Sequence, residues 1–253
     1  YSYDFHYNNL KKSEAQREKN KVTNFMQTVT APARLAGQIL LVHEYADQIA
    51  NPRSAWTYNP GQRRVRLAPN VAYDNPGVAA DGLRTNDDFT LFNGATDRYD
   101  WKLVGKKEIY VPYNSYRLNS AKLKVADLVR PGHINPEHAR YELHRVWVVD
   151  ATLKSGTSHI YQRRTFYIDE DSWNILAVDK YDARGQLWRV AEQHSQQFYD
   201  LPGISPGVEV HHDLQSGRFL AMGMTNEEST VYVRTNRSAS DFSPSSLRGA
   251  GTR

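Results

Sequence analysis

The chain has 253 residues, 40% of them hydrophobic and 24% charged, with a net charge of +4 at pH 7, a balance that suits a folded protein with a sizeable core in one large β domain or two smaller ones. No stretch approaches the roughly 20 consecutive apolar residues that a bilayer-crossing helix needs, so the chain is not expected to span a membrane. With Cys 0, disulfides, thiolate metal sites and cysteine nucleophiles are excluded.

The first residues, YSYDFHYNNLKKSEAQREKNK, carry no apolar run after their charges, so no signal peptide is visible. Ile39 to Tyr45 reads as an apolar strand. Ala55 to Tyr58 reads as another, turned by Asn59, Pro60 and Gly61 into a return strand, Gln62 to Leu67. There Val65 and Leu67 alternate with Arg64 and Arg66, giving one apolar and one basic face. Pro69, Asn75, Pro76, Gly77 and Gly82 follow too closely for a regular element, so residues 68–84 read as an ordered loop. Thr85 then looks like an N-cap, with Asp87 and Asp88 in the first turn and Gly94 as a stop, which predicts one short helix.

A strand is expected around Glu108 to Val111, ended by Pro112. Ala121 to Val129 is amphipathic and stops before Pro131-Gly132, and Asn135-Pro136-Glu137 opens a single further turn. From Tyr141 the period is two: Tyr141, Leu143, Trp147, Val149, Ala151 and Leu153 share a face that Arg145 interrupts. Turns then separate Ser158 to Ile168, Trp173 to Tyr181, Gln186 to Tyr199, Val208 to Leu214 and Arg218 to Met224. The pattern predicts a mainly β, α+β fold: a strongly curved antiparallel sheet with a few short helices on its concave side. Ser238 to Arg253 reads as disordered or pinned to a partner.

The candidate chemistry is thin. Gly203-Ile204-Ser205-Pro206-Gly207 matches G-x-S-x-G, but Pro206 has no N–H for an oxyanion and no helix follows, so a loop is expected. His211 and Asp213 share a strand face without His212, which leaves two ligands where zinc usually takes at least three from protein. His133, Glu137, His138, Glu142 and His144 match no metal spacing, and the Asp169-Glu170-Asp171 turn lacks the glycine and distal glutamate of a calcium hand. No catalytic residue, metal or cofactor is therefore expected. Arg63, Arg64 and Arg66, and likewise Arg163 and Arg164, read as solvated strand faces ahead of an anionic contact. Tyr161, Arg163 and Tyr167 interleave as base-stacking residues do, but no RNA-binding pattern accompanies them, and no nucleic-acid partner is expected.

Seven segments carry a resemblance: TAPARLAGQILLVHE, WTYNPGQRRVRLAPNVAYDNPG, DGLRTNDDF, DRYDWKLVGKKEIYVPYNSY, RPGHINPEHARYELHRVWVVDATLK, RTFYIDEDSWNILAVDKYDARGQLWRV and YDLPGISPGVEVHHDLQSGRFLAMG. They resemble a proteobacterial family of uncharacterised function whose members are described as outer-membrane lipoprotein-sorting-like and related to the Lol carriers and receptors. The resemblance covers roughly residues 28–225. It implies one curved-sheet domain over 28–225, a charged segment 1–27 left from a longer N-terminal region, and a tail 226–253.

It also implies a periplasmic protein peripheral to the outer membrane. The implied role is a non-enzymatic carrier or chaperone of a lipid, lipoprotein acyl chain or other hydrophobic small molecule, with an inner-membrane RND-type exporter or an outer-membrane protein as partner. Leu143, Trp147, Val149, Phe166, Ile168, Ile175 and Ala177 are the candidate cavity residues, each equally readable as plain core. Arg63, Arg64 and Arg66 are the candidate headgroup or partner contact. Two alternatives stay open: an envelope hydrolase acting on lipid or glycan, which requires His144, His194, His211 and Asp213 to converge, and an interaction subunit of an export complex.

Overall fold

The computed structural model describes residues 2–5, 20–68, 74–77, 79–199, 203–228 and 238–250. Strands β1 (Ser2–Phe5), β2 (Lys21–Thr28), β3 (Ile39–Tyr45), β4 (Ser54–Asn59) and β5 (Arg64–Leu67) pair in sequence order as one antiparallel sheet. A second sheet holds β6 (Tyr99–Pro112), β9 (Tyr141–Leu153), β10 (Arg163–Asp169), β11 (Ile175–Tyr181), β12 (Leu187–Phe198), β13 (Gly203–Asp213) and β14 (Arg218–Met222). Its order is β14-β13-β12-β11-β10-β9-β6, so it is an open antiparallel sheet and not a closed barrel. Between β6 and β9 lie helix α1 (Val125–Leu128) and a small ladder of β7 (Val129–Arg130) with β8 (His133–Ile134); helix α2 (Leu247–Ala250) follows later.

Because each sheet bonds only within itself, the chain divides into two compact units, residues 1–72 with 232–253, and residues 73–231. The division differs from the one domain expected over 28–225.

In the first unit, Met26, Ile39, Leu41 and Tyr58 form a core that Phe242 and Leu247 complete, with Trp56 and Val65 packed against it. His43 Nε2 lies 2.8 Å from the Phe242 carbonyl oxygen. The segment holding Phe242 and Leu247 is thus pinned to the first unit, because two large apolar side chains in a Ser-rich stretch find a sheet face to cover. Leu67, which shares the apolar face with Val65 in the alternation, is 60% exposed at the end of the short edge strand β5.

In the second unit the register sets two faces. Val149, Phe166, Val178, Ala191 and His211 stand side by side across β9 to β13. The adjacent row on the same face is Ala151, Arg164, Lys180, Arg189 and Asp213. The opposite face buries Val146, Leu176 and Val111 in one cluster, and Val208 and Val210 with Leu118, Leu128 and Ile134 in another. A sheet covered on both sides explains why its strands carry apolar residues in both phases. Register shifts at Leu103/Gly105, Tyr167/Ile168, Lys180/Tyr181 and His194/Ser195 are bulges, which bend and twist the strands they interrupt.

The Gly203–Gly207 segment, expected as a loop, is the first half of β13, with Pro206 opposite Ser195 at a bulge. Bulges are where a strand tolerates proline. A Cβ on Gly207 would fall 2.5 Å from the His194 carbonyl oxygen, so the same bulge needs glycine next. The helix expected over Ala121 to Val129 is confined to Val125–Leu128.

Phe242 is 2% exposed, and Phe242→Ala should cost the first unit about 3–5 kcal/mol. Amides of β2 and β3 should then exchange hydrogen faster by the corresponding factor; unchanged protection would show that the C-terminal segment is not part of this core.

Candidate functional site

Residues 85–92 lie on the first face of the large sheet. As expected, Thr85 starts a short helical segment: its N–H donates to Asp88 Oδ2 at 3.0 Å, and its hydroxyl donates to Asp87 Oδ1 at 2.6 Å. The 3-10 segment Asn86–Leu91 does not run on to Gly94. Phe89 turns extended, and Thr90 and Leu91 take φ of 52° and 66°. Each left-handed non-glycine residue costs about 1–2 kcal/mol, so tertiary contacts must hold this shape.

Two sets of contacts do so. Leu91 is fully buried in a cluster with Tyr99, Ala151, Phe166, Val178 and Ala191. Phe92 packs edge-on against Trp101 and Phe166, with centroids 5.3 and 5.5 Å away. One turn earlier, Arg164 Nη2 donates to Asp87 Oδ2 at 2.6 Å, and Lys180 Nζ lies 2.9 Å from Asp88 Oδ1. All four charged side chains are at most 3% exposed.

The surroundings of this quartet are aromatic and hydrogen-bonding. The Arg164 guanidinium sits 4.6 Å from the centre of the Tyr99 ring and 5.5 Å from that of Tyr161. Tyr161 donates its hydroxyl to Asp88 Oδ2 at 2.9 Å and accepts from Arg189 Nη1 at 3.2 Å. His159 Nε2 lies 3.2 Å from Asp87. Thr90 N–H donates to Glu209 Oε1 at 3.2 Å, tying the segment to β13. Burial alone would raise the Asp88 carboxyl, but Lys180 and Arg164 outweigh it and hold it far below the usual carboxylate range. The same contest, burial against Arg164, leaves Asp87 lowered as well. Both remain ionised at neutral pH.

Of the candidate cavity residues, Val149, Phe166, Ile168 and Ile175 gather in the cluster around Leu91. Leu143 instead is 57% exposed beside the edge strand β6. Trp147 is half-buried, with Lys106 Nζ 4.4 Å over its ring. Ala177 pairs with Tyr167, which packs on the opposite face, because the bulge at Tyr167/Ile168 breaks the alternation that would have aligned it with Ile175. Arg63, Arg64 and Arg66 are exposed on the β4–β5 hairpin of the first unit. Arg164, expected as solvated, is fully buried, whereas Arg163 lies half-exposed over the Tyr181 ring at 3.8 Å.

The four residues that a hydrolase would bring together stay apart. His144 faces Asp169, 2.9 Å away, and His211 lies 3.5 Å from Glu209 on the first face. Asp213 accepts from Arg189 and Trp188. His194 is buried beside Ser115 and Tyr141, and burial, with His212 nearby, pushes its pKa down to about 4. No hydrogen bond or ion pair joins any two of these four among the described residues.

The residues missed by sequence reasoning are Asp87 and Asp88 as buried anions, and Arg164, Lys180 and Tyr161 around them. One signal was present: Arg164 is two residues from Phe166, and Lys180 two from Val178, so strand alternation alone puts both cations on the apolar face.

Removing one partner of a buried ion pair costs about 3–5 kcal/mol, and Asp88→Asn should destabilise the second unit by that amount at pH 7. Because both carboxyls are depressed in the folded chain, their stabilisation is complete above the unfolded value of about 4 and is lost as pH falls through the lower folded values. Urea unfolding from pH 7 to pH 2 should therefore show the gap between native and variant narrowing below about pH 4. A gap independent of pH, or none at pH 7, would contradict the buried quartet.

Comparison with known proteins agrees with this architecture. A proposed outer membrane lipoprotein-sorting protein domain from Vibrio parahaemolyticus superposes with a TM-score of 0.60 at 14% identity, over 92% of this chain and 80% of that one. A DUF1329 family protein from Desulfovibrio piger superposes at 0.58 with 16% identity, over 89% of this chain and 77% of that one. These likenesses show the fold. The uncharacterized protein PA3922 of Pseudomonas aeruginosa is 57% identical over 246 residues, which is 97% of this chain and 54% of that protein. The chain therefore spans about half the length of this relative. The family model described as protein of unknown function (DUF1329) matches residues 1–248, and the chain belongs to that family.

Proposed function

We propose that the chain is a non-enzymatic carrier module for an anionic amphiphile, which it binds on the first face of the large sheet in place of residues 85–92. One observation carries this reading. That segment presents two carboxylates to the buried cations Arg164 and Lys180, and then Leu91 and Phe92 to the neighbouring apolar row. An anionic lipid offers the same two features in the same order, a charged group followed by an apolar tail.

The energetics favour an amphiphile over a purely apolar cargo. Lifting the segment away without replacing its carboxylates would leave two buried cations unpaired, at several kcal/mol each. A cargo carboxylate or phosphate restores the pairing. Lifting Leu91 and Phe92 costs about 1.5–3 kcal/mol apiece, and each cargo methylene buried returns about 0.8 kcal/mol, so a chain of eight or more suffices. Gln193 Oε1 and His211 Nδ1 lie buried on this face without a hydrogen-bond partner among the described residues, ready for a polar headgroup. The strain at Thr90 and Leu91 lowers the cost of displacement further.

The lipoprotein-sorting description of the Vibrio parahaemolyticus domain is in keeping with such a cargo. The family resemblance implies a periplasmic setting and an inner-membrane exporter as partner, and both belong to this proposal. No helix among the described residues is long and apolar enough to cross a membrane. The dispersal of His144, His194, His211 and Asp213 gives a hydrolase reading no support.

Leu91→Gly keeps a backbone that suits φ of 66° while removing the side chain that competes for the apolar row. It should tighten binding of a fluorescent long-chain fatty acid about tenfold, or ~1.4 kcal/mol, and the corresponding fatty alcohol should bind at least tenfold more weakly than the acid. Absence of acid binding in both proteins, or equal binding of acid and alcohol, would sink the proposal.

A further inference from the structure

Away from that face, the sheet brings together two groups that lie far apart in the chain. His144 is in β9, while Asp169 ends β10 and Asp171 follows in the turn to β11. A ligand atom from each lies within 4.8 Å of the others. We propose that His144, Asp169 and Asp171 form a binding site for a divalent transition-metal ion, with zinc as the best match.

The imidazole is held from both sides. His144 has a carboxylate at both ring nitrogens: Nδ1 is 2.9 Å from Asp169 Oδ1, and Nε2 is 3.4 Å from Glu142 Oε2. The protonated ring donates to both carboxylates, and the neutral ring to one of them. A metal ion bound by Nδ1 and Asp169 takes the place of the Nδ1 proton. Glu142 then takes the place that an outer carboxylate occupies behind a metal-bound histidine, accepting from Nε2–H and fixing the tautomer that leaves Nδ1 free to ligate. Asn114 Nδ2, 2.9 Å away, and Arg140 Nη2, 3.0 Å away, hold Glu142 in turn.

Asp169 is held ready for the same ion. Asp169 Oδ2 accepts from Ser172 N–H at 2.9 Å, from Ser172 Oγ at 2.6 Å and from the Tyr113 hydroxyl at 3.3 Å. Its Oδ1 is thereby turned toward His144. The Tyr113 ring lies against the imidazole with centroids 4.1 Å apart, which fixes the plane of the ring. The nearby cations are engaged elsewhere: Lys106 Nζ and Arg145 Nη2 each lie 2.6 Å from Glu170.

One nitrogen and two carboxylates are a donor set suited to zinc, which takes three protein ligands and leaves the fourth position to water or a further group. Asp171 is exposed, so the ion enters from solvent. Sequence reasoning dismissed both parts of this set separately, the histidines for their spacing and the acidic turn for its missing glycine, because only the β9–β10 pairing joins them.

The test uses the full chain, stripped with a chelator and titrated with zinc chloride by calorimetry at pH 7. Native protein should bind one equivalent with a micromolar or tighter Kd. Asp171→Asn, a change at an exposed turn that leaves the core untouched, should weaken binding at least tenfold, and His144→Ala should abolish it. Circular dichroism checks that each variant is folded, and His133→Ala serves as a control that binds like the native chain. Absence of binding to native protein, or binding unchanged in Asp171→Asn, overturns the site.

Discussion

The second unit depends on the neutralisation of two cations inside a β-sheet face. Arg164 and Lys180 project from adjacent strands into a region otherwise built from Phe166, Val178, Ala191 and aromatic rings. Neither could stay there charged without a counterion, since desolvating an isolated charge costs several kcal/mol even after relaxation. Asp87 and Asp88 supply the counterions from a short segment outside the seven-stranded sheet, anchored at its start by a bridge between Thr85 and Pro76. The position of that segment, the left-handed backbone at Thr90 and Leu91, and the burial of Leu91 and Phe92 all follow from this pairing.

A buried ion quartet is an uneconomical way to close a core. Apolar side chains of similar volume would do as well or better in stability. Its presence is easier to understand if the anions are replaceable, because a face that already pairs carboxylates is built to accept another anion. The opposite face of the sheet shows a contrast: Val208 and Val210 are covered by the apolar side chains Leu118, Leu128 and Ile134, and its buried carboxylate, Asp169, faces His144 and not a cation projecting from the sheet's apolar row. The difference between the two faces is the reason for placing cargo on the first.

Much of the fold was legible because it rests on local signals. Asn59-Pro60-Gly61 and the alternation from Tyr141 onward each specify a turn or strand without long-range help, and the structure has those elements close to where they were expected. The failures share one cause. Ala177 was aligned with Ile175 by strict alternation, but a bulge that depends on pairing with β10 moved it. Gly203 to Gly207 looked like a loop because Pro206 cannot donate, yet a bulge in β13, where Gly207 is skipped in the pairing with β12, is a place where a strand accepts it. The candidate site was half legible: Val149, Phe166, Ile168 and Ile175 do gather. The anions that complete it arrive from 77 and 73 residues away along the chain, and no local pattern encodes that meeting.

The central claim is that residues 85–92 occupy the cargo's place. Hydrogen exchange across the chain, with and without a saturating long-chain fatty acid, tests it most directly. Amides of 85–93, among them Thr90 bonded to Glu209 and Asn93 bonded to the Asp87 carbonyl, should exchange faster when the acid is bound, while β10 to β12 keep or gain protection. Bound acid with the protection of 85–93 unchanged or increased would contradict the account and return those residues to the status of ordinary core.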